Sequence, residues 1–412
     1  MLNLMALNYI PLVVLALVYA LISVRRIGGR SIEIWQAMGI GAFLVLVFGQ
    51  ISPIEALKSI NLDVIVYIIG MLIIGEALHE SGYLNYLLTR FFSGSRTAGS
   101  FILKLVIFSG MSSVILMNDT LAVLFTPFLV SISKDKGLNE KMMLLALAFS
   151  ITVGSVMSPI GNPQNLLIAL RIQNPFPAFL FYLSLPTLIN LLVIYLIVSL
   201  SFKKETIKEV NFEKTAVKPK SNNLETASKL SLWSLVILSI ANSLAFTVFG
   251  VSFPISLISL LAAVPIIFSG RKGLGTVIRM DWRTVAFFAF MFILMQSVFD
   301  SGIIQLLIHG HIGGVANIML FSLTISQVLS NVPFVALFIR FVTPTLANYL
   351  ALAAGSTIAG NFLILGAASN IIIIQSAERY GGKGLSFTDF IKYGMITALI
   401  NFAVYWAFLI LV

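Results

Sequence analysis

Cysteine is absent from the 412 residues, and histidine occurs only three times. The first absence removes disulfides, thiolate metal centres and cysteine nucleophiles together. The second makes a His-rich metal site improbable. Charge is scarce as well: Asp, Glu, Lys and Arg make up 10% of the chain, hydrophobic residues make up 58%, and the mean hydropathy is +1.01. A soluble domain carries roughly 25% charged residues. A chain with so little charge cannot coat a water-facing exterior, which excludes a soluble enzyme of ordinary surface. Hydrocarbon is left as its main solvent, and the expected fold class is an all-α polytopic membrane protein.

What is present supports that reading. A spanning helix needs about 20 mostly apolar residues. By that measure spans are expected near 5–24, 34–51, 63–80, 141–172, 179–200, 231–249, 253–269, 284–300, 348–377 and 390–411. The first run lacks a basic leader and a small-residue cleavage pattern, so it reads as a retained helix. Two further apolar stretches, 101–134 and 313–345, are each broken halfway by a short polar cluster. Each is too short for two full spans and reads as a re-entrant hairpin. With that arrangement every Lys and Arg except Lys58, Arg171 and Arg340 falls on one side, the side expected to be cytoplasmic. The net charge of +10, from 26 basic and 16 acidic residues, is therefore a topology signal and not a nucleic-acid footprint. Both termini are expected outside. The hydrophilic stretch 202–229, rich in Lys and Glu, reads as a cytoplasmic linker.

The linker divides the chain into two halves that repeat one order of features. Glu80-Ser81-Gly82 aligns with Asp300-Ser301-Gly302, the run MNDTLAVLFTP at 117–127 with SNVPFVALFIRFVTP at 330–344, and SPIGNPQNLLI at 158–168 with LILGAASNIII at 363–373. Residues 1–201 and 230–412 thus read as two membrane repeats. Each has five spans and one hairpin, and they start on opposite sides. Such an inverted-topology repeat marks many secondary transporters.

Polar groups at membrane depth are costly and point to function. Four clusters stand out: Asn118-Asp119-Thr120 and Ser330-Asn331 at the hairpin breaks, and Gly161-Asn162 with Asn165, and Gly366 with Ser369 and Asn370, in the long spans. Asn and Ser favour helix N-caps, and Pro is tolerated in a first turn. Asn162 before Pro163, and Asn331 before Pro333, therefore read as starts of half-helices at mid-membrane. Helix N-termini suit an anion. The carbonyl ends of preceding half-helices, with Asn and Ser oxygens, suit a small cation such as Na⁺. The expected sodium ligands are Asn118, Asp119, Asn162, Asn331 and Asn370; no structural metal or other cofactor is expected beyond Na⁺ or H⁺ as coupling ion. Outside the cytoplasmic loops the acids are Glu55, Asp63, Glu76, Glu80, Asp119 and Asp300. Asp119 is placed deepest and either binds the coupling ion or caps the second hairpin arm. Glu76, with His79 and Glu80 at helical spacing, is either a proton carrier or an interface group.

At these residues the chain resembles the ion transporter superfamily, which includes the arsenite-pump membrane protein, NhaD-type sodium/proton antiporters, citrate permeases and divalent anion–sodium symporters. The resemblance spans roughly 60–400 and is most specific in SNVPFVALFIRFVTP and in AGNFLILGAASNIIIIQSAERYGGKG. It implies a scaffold bundle, a transport bundle and two hairpins facing each other across a central site. That site would be formed by 118–120, 161–165, 330–332 and 366–370, with Asn361 ahead of the last run. Asp119 at the first tip, Val332 at the second, and a hydroxyl-free run from Gly360 to Gly366 depart from the sodium symporters. The Asp brings the chain nearer the arsenite and antiporter branch.

The expected function is an ion-coupled secondary transporter of a small anion or oxyanion in the cell membrane, acting by alternating access. The alternatives are a sodium/proton antiporter and, further off, an intramembrane enzyme built on Asp119 or a channel. The expected partners are the anion and the lipid bilayer, with a homodimer left open. Paired catalytic groups are not visible, and no enzymatic activity is expected.

Overall fold

The computed structural model describes residues 8–24, 26–27, 30–210, 222–308 and 310–412. The first half contains α1 (Ile10–Val24), α2 (Ile34–Val47), α3 (Pro53–Ser59), α4 (Leu62–Ser81), α5 (Tyr83–Phe92), α6 (Ala98–Ser112), α7 (Asn118–Lys136), α8 (Glu140–Ser155), α9 (Pro163–Ala169), α10 (Pro175–Ser201) and α11 (Lys203–Thr206). The second contains α12 (Asn222–Phe249), α13 (Ile255–Ile267), α14 (Arg271–Arg279), α15 (Trp282–Asp300), α16 (Ile303–Leu307), α17 (Val315–Leu329), α18 (Asn331–Phe338), α19 (Leu346–Ile358), α20 (Ala368–Arg379) and α21 (Phe387–Leu409). Two single 3₁₀ turns, Ala359–Asn361 and Ile364–Gly366, join α19 to α20. Among the described residues the only strands are the two-residue pair Arg26–Ile27 and Arg30–Ser31.

The bundle is apolar outside as well as in. Along α12, Trp233, Ile237, Ile240, Leu244 and Val248 form an exposed stripe at helical spacing, and Phe181, Leu185, Leu188, Leu192, Leu196 and Leu200 form another along α10. Such stripes need an apolar partner, which the hydrocarbon of a bilayer supplies. By contrast Met142–Ser155 of α8, all of α9, and Leu350–Ile358 of α19 are buried on every side. These helices form the centre.

Five helices, α4, α10, α12, α15 and α21, are long and apolar enough to cross a membrane. Others fall short of the expected spans. Helix α13 has 13 residues and α2 has 14, about 20 Å of helix each against a hydrocarbon core of about 30 Å. In the other direction, the second arm of the first hairpin is longer than half a membrane: α7 has 19 residues, about 28 Å, with Pro127 inside it. The expected linker is also narrower. Asn222–Lys229 belongs to α12, because Leu224 and Ala227 are buried and Lys229 pairs with Glu225 one turn back. At its other end Val210 N–H donates to Arg96 O (2.9 Å). The middle of the linker, 211–221, and the start of the first expected span, 5–7, lie outside the described residues.

The two halves interlock through a recurring set of contacts. Helix α4 packs on α13 as α15 packs on α2, α6 on α8 as α17 on α19, and α7 on α20 as α18 on α9. The last helix of each half, α10 and α21, pack on one another.

Loop contacts define two ends. At one, Lys141 pairs with Asp389 (2.7 Å), Arg283 with Glu33 (2.6 Å) and Arg279 with Glu80, while Glu140 accepts from the Lys383 and Gly384 amides (2.8 and 2.9 Å). Every ion pair among the described residues lies in loops or helix ends of this end. The hydrogen bond to Glu80 holds the Arg279 guanidinium pKa above its ordinary value. The other end carries Lys58, Arg171 and Arg340, and is tied by Ile312 N–H donating to Phe341 O (2.7 Å).

Candidate functional site

Each hairpin tip rests on the broken helix of its own half. In the first half the chain leaves α8 at Ser155 and re-enters helix at Pro163. Asn162 Oδ1 accepts from Asn165 N–H (2.8 Å), so Asn162 caps α9 with Pro163 in its first position. The tip lies against this break: Asn118 N–H donates to Gly161 O (3.0 Å) and Ser158 Oγ to Val114 O (2.6 Å). Position 161 has no room for a side chain, since a Cβ there would sit 2.7 Å from both Ser113 O and Ser155 O. In the second half Gln327 Nε2 donates to Ala359 O (2.9 Å), and a Cβ on Gly366 would lie 2.7 Å from that same carbonyl. Asn331 Nδ2 lies 3.3 Å from where a Cβ on Gly360 would be.

The second arm of the second hairpin starts at Asn331 as expected, but neither hairpin arm is capped by a side chain. Ser330, and not Asn331, precedes α18, and among the described residues it is the one non-glycine with positive φ (61°). Asn331 is the first helical residue, and its side chain makes no capping bond. Helix α7 likewise follows Met117, and Asp119 caps nothing: its carboxylate makes no hydrogen bond or ion pair, while its N–H donates to Asn118 Oδ1 (2.9 Å). In α20, Ala367 holds the cap position, with Ser369 and Asn370 inside the helix.

The two breaks meet through a residue the sequence reading passed over. Thr357 of α19 lies between them. Its Oγ1 donates to Asn165 Oδ1 (3.3 Å) and accepts from Asn162 Nδ2 (3.3 Å) and Gln164 Nε2 (3.4 Å). Asn165 also ties down its own loop, donating to Ser155 O and Ser158 O (both 3.0 Å). The only sequence signal for Thr357 is a hydroxyl in an apolar run three residues before Gly360, which is too common to single out. Asn401 is a second such residue: it accepts from Asn361 Nδ2 (3.2 Å) and donates to Asn190 Oδ1 (2.8 Å), linking the second break to α21 and α10.

The halves differ in what their polar groups have left over. In the first break the amides of Asn162 and Asn165 are engaged by the protein. Around the second, Asn331 Oδ1, Asn361 Oδ1, Ser369 Oγ, Asn370 Oδ1 and Gln327 Oε1 are buried without a protein partner, as is Thr120 Oγ1 at the first tip. Asn370 cannot turn its amide round, because Nδ2 donates to Gly360 O (2.6 Å). An unpartnered buried polar atom costs about 1–3 kcal/mol, and these oxygens leave unused acceptor capacity around the second break. Among the described residues no three His, Asp or Glu side chains come together as a metal group.

Glu76 stands beside the first tip. Its neighbour Gly75 lets α4 approach α7 so closely that a Cβ there would lie 2.5 Å from Thr120 Cγ2. Glu76, His79 and Glu80 face an open cleft shared with Lys272 and Arg279. Arg279 holds Glu80; Glu76 has no hydrogen-bond or ion-pair partner.

A lipid-facing helical bundle, with half-helices meeting at a buried polar junction between its halves, is the architecture of a multi-pass membrane transporter. Residues 17–349 match the citrate transporter family (CitMHS), and the chain belongs to that family, within the ion transporter superfamily. An uncharacterised transporter of Mycobacterium tuberculosis is 25% identical over 93% of this chain and 94% of its own length. The silicon efflux transporter LSI3 of Oryza sativa subsp. japonica is 25% identical over 89% of this chain and 90% of its own. Among solved structures, the YdaH transporter of Alcanivorax borkumensis superposes with a TM-score of 0.56 at 13% identity, covering 97% of this chain and 95% of that one. The last comparison speaks for the fold alone.

Proposed function

We propose that this transporter carries a small oxyanion, or its hydroxyl-bearing acid, across the cell membrane, coupled to Na⁺ or H⁺. The observation that carries this reading is the set of buried, unpartnered oxygens at the second break. Asn331, Asn361, Ser369 and Asn370 offer acceptors that suit a coupling cation or the hydroxyls of an undissociated oxyacid. An arsenite-like or silicic-type acid presents such hydroxyls, and the rice relative's name points to silicon. The helix N-termini at the breaks and Asp119 complete the junction, with Asp119 as the ion-binding acid and Glu76 as a proton carrier on its cytoplasmic side. Alternating access moves one bundle past the other, the two halves being inverted repeats with both termini outside.

Sodium/proton antiport is the second reading, favoured by one observation: the Asp119 carboxylate has no protein partner. The same isolation speaks against hydrolysis, which needs a base or acid hydrogen-bonded to the nucleophile.

Transport into proteoliposomes tests both readings, with arsenite, silicic acid, phosphate and citrate offered under imposed pH and Na⁺ gradients. One solute accumulates only when a gradient is present, and Asp119→Asn uncouples it. Cation exchange with no solute flux would establish antiport instead; solute flux still coupled in Asp119→Asn would remove Asp119 from the ion site.

A further inference from the structure

The end of the molecule opposite the ion pairs has three basic residues, and two of them converge. Arg171 and Arg340 line one open cleft together with Ser59, Asn61 and Gln296. Neither guanidinium meets a carboxylate. Arg340 is held in place: it lies over the Phe299 ring (4.1 Å to the centroid), and its Nη2 donates to Gln296 Oε1 (2.8 Å). Gln296 in turn donates to Asp300 Oδ1 (2.8 Å), so that carboxylate lies within electrostatic reach of Arg340 but forms no direct ion pair with it. The Arg171 guanidinium makes no hydrogen bond to the protein; only its backbone N–H does, to Ile168 O (2.9 Å). Five N–H donors on each guanidinium leave most of the pair's capacity directed at the cleft.

The position of the cleft connects it to the polar junction. Arg171 follows α9 and Arg340 follows α18, two short helices that pack side by side. Each starts at the junction, α9 at the Asn162 cap and α18 at Ser330, and runs about 10–12 Å before the turn that carries its arginine. Basic residues near helix C-termini are favourable in general. That effect alone does not account for this pair, because neither guanidinium hydrogen-bonds a last-turn carbonyl and each such terminus offers only about half a charge.

We propose that Arg171 and Arg340 form an anion-capture site at the mouth of the transport path, distinct from the junction and selective for carboxylates or oxyanions over neutral solutes. The site draws ionised substrate to the ends of α9 and α18 before it passes to the junction; this role rests on the transport reading above, whereas anion binding at the cleft does not.

The test uses the full chain in lipid nanodiscs, with the arginine reagent 4-hydroxyphenylglyoxal and mass spectrometry at each arginine. Citrate, inorganic phosphate and sulfate are the competing probes, silicic acid is the neutral control, and chloride holds ionic strength constant. Both arginines react, and the polyanions slow both in parallel while silicic acid does not. In proteoliposomes, Arg171→Gln and Arg340→Gln raise the half-saturating anion concentration about tenfold or more with the maximal rate held. Arg→Lys variants fall between, and Lys58→Gln changes neither quantity. Absence of protection by all three polyanions overturns the site, as does a fall in maximal rate without a change in half-saturation. If wild type transports no solute under any gradient yet the polyanions still protect both arginines, the transport reading fails and the anion site stands.

Discussion

Single positions at the tips and breaks carry strain or tight fit that a substitution can read out. Ser330 holds φ near 61° and ψ near 164°, a region essentially confined to glycine, where strain of about 1–3 kcal/mol is stored. Ser330→Gly relieves most of it, so the thermal midpoint of the purified protein rises. If the hydroxyl meets a transported ion, half-saturation worsens in the same variant; a variant unchanged in both respects would make Ser330 an ordinary turn residue. Gly161 is the opposite case. Its absent side chain is what lets Ser113 O and Ser155 O close on the break, and Gly161→Ala forces backbone apart at a cost of about 1–3 kcal/mol. A melting midpoint equal to wild type would contradict that fit. Thr120 and Gly75 show the same logic from the other side, a glycine on one helix making room for a hydroxyl-bearing tip on another.

At the scale of elements, Thr357 is the joint between the two broken helices. Thr357→Val keeps the shape and removes the hydroxyl, leaving Asn165 Oδ1 without its donor and Gln164 Nε2 without its acceptor, while Asn162 Nδ2 keeps only Ser155 Oγ. The expected loss is about 1–3 kcal/mol of stability, recovered by Thr357→Ser. Stability equal to wild type in the valine variant would show the joint to be incidental. How legible these elements were follows from the same physics. The breaks could be read because Gly, Asn and Pro interrupt apolar runs, and Asn162–Pro163 is a start signal in any solvent. The start of α18 at Asn331 is legible in the same way, whereas the strained backbone of Ser330 ahead of it has no sequence signature. Short helices such as α3, α5 and α14 were not foreseen, since a span-length ruler ignores helices that lie at the ends of spans. Thr357 and Asn401 act through partners far away in sequence, and Arg171 and Arg340 through a shared cleft. Spacing along one chain does not contain such pairings.

Across the whole molecule the distribution of charge and the exchange of contacts between halves support one arrangement. Ion pairs gather at the end that collects the basic loops. The other end holds three basic residues, two of which face a cleft. If the halves are inverted repeats, equivalent elements must lie at opposite ends. The clefts behave so: Glu76 of α4 faces one, while Gln296 of α15, its partner when Glu80 aligns with Asp300, faces the other. Under the proposed arrangement the molecule has two mouths of unlike chemistry, acids and bases mixed at one and two guanidiniums at the other. The absence of cysteine makes the arrangement directly testable, because every single-cysteine variant reports without background. Cysteines at Lys58 and Gln173 are expected to react with a membrane-impermeant maleimide from outside intact cells. Those at Lys136, Arg271 and Lys383 react only after the membrane is opened, in keeping with the excess of basic residues on the cytoplasmic side. Labelling of Lys136 and Gln173 positions from the same side would break the inverted repeat, since α8 and α9 together must carry the chain from one end of the molecule to the other.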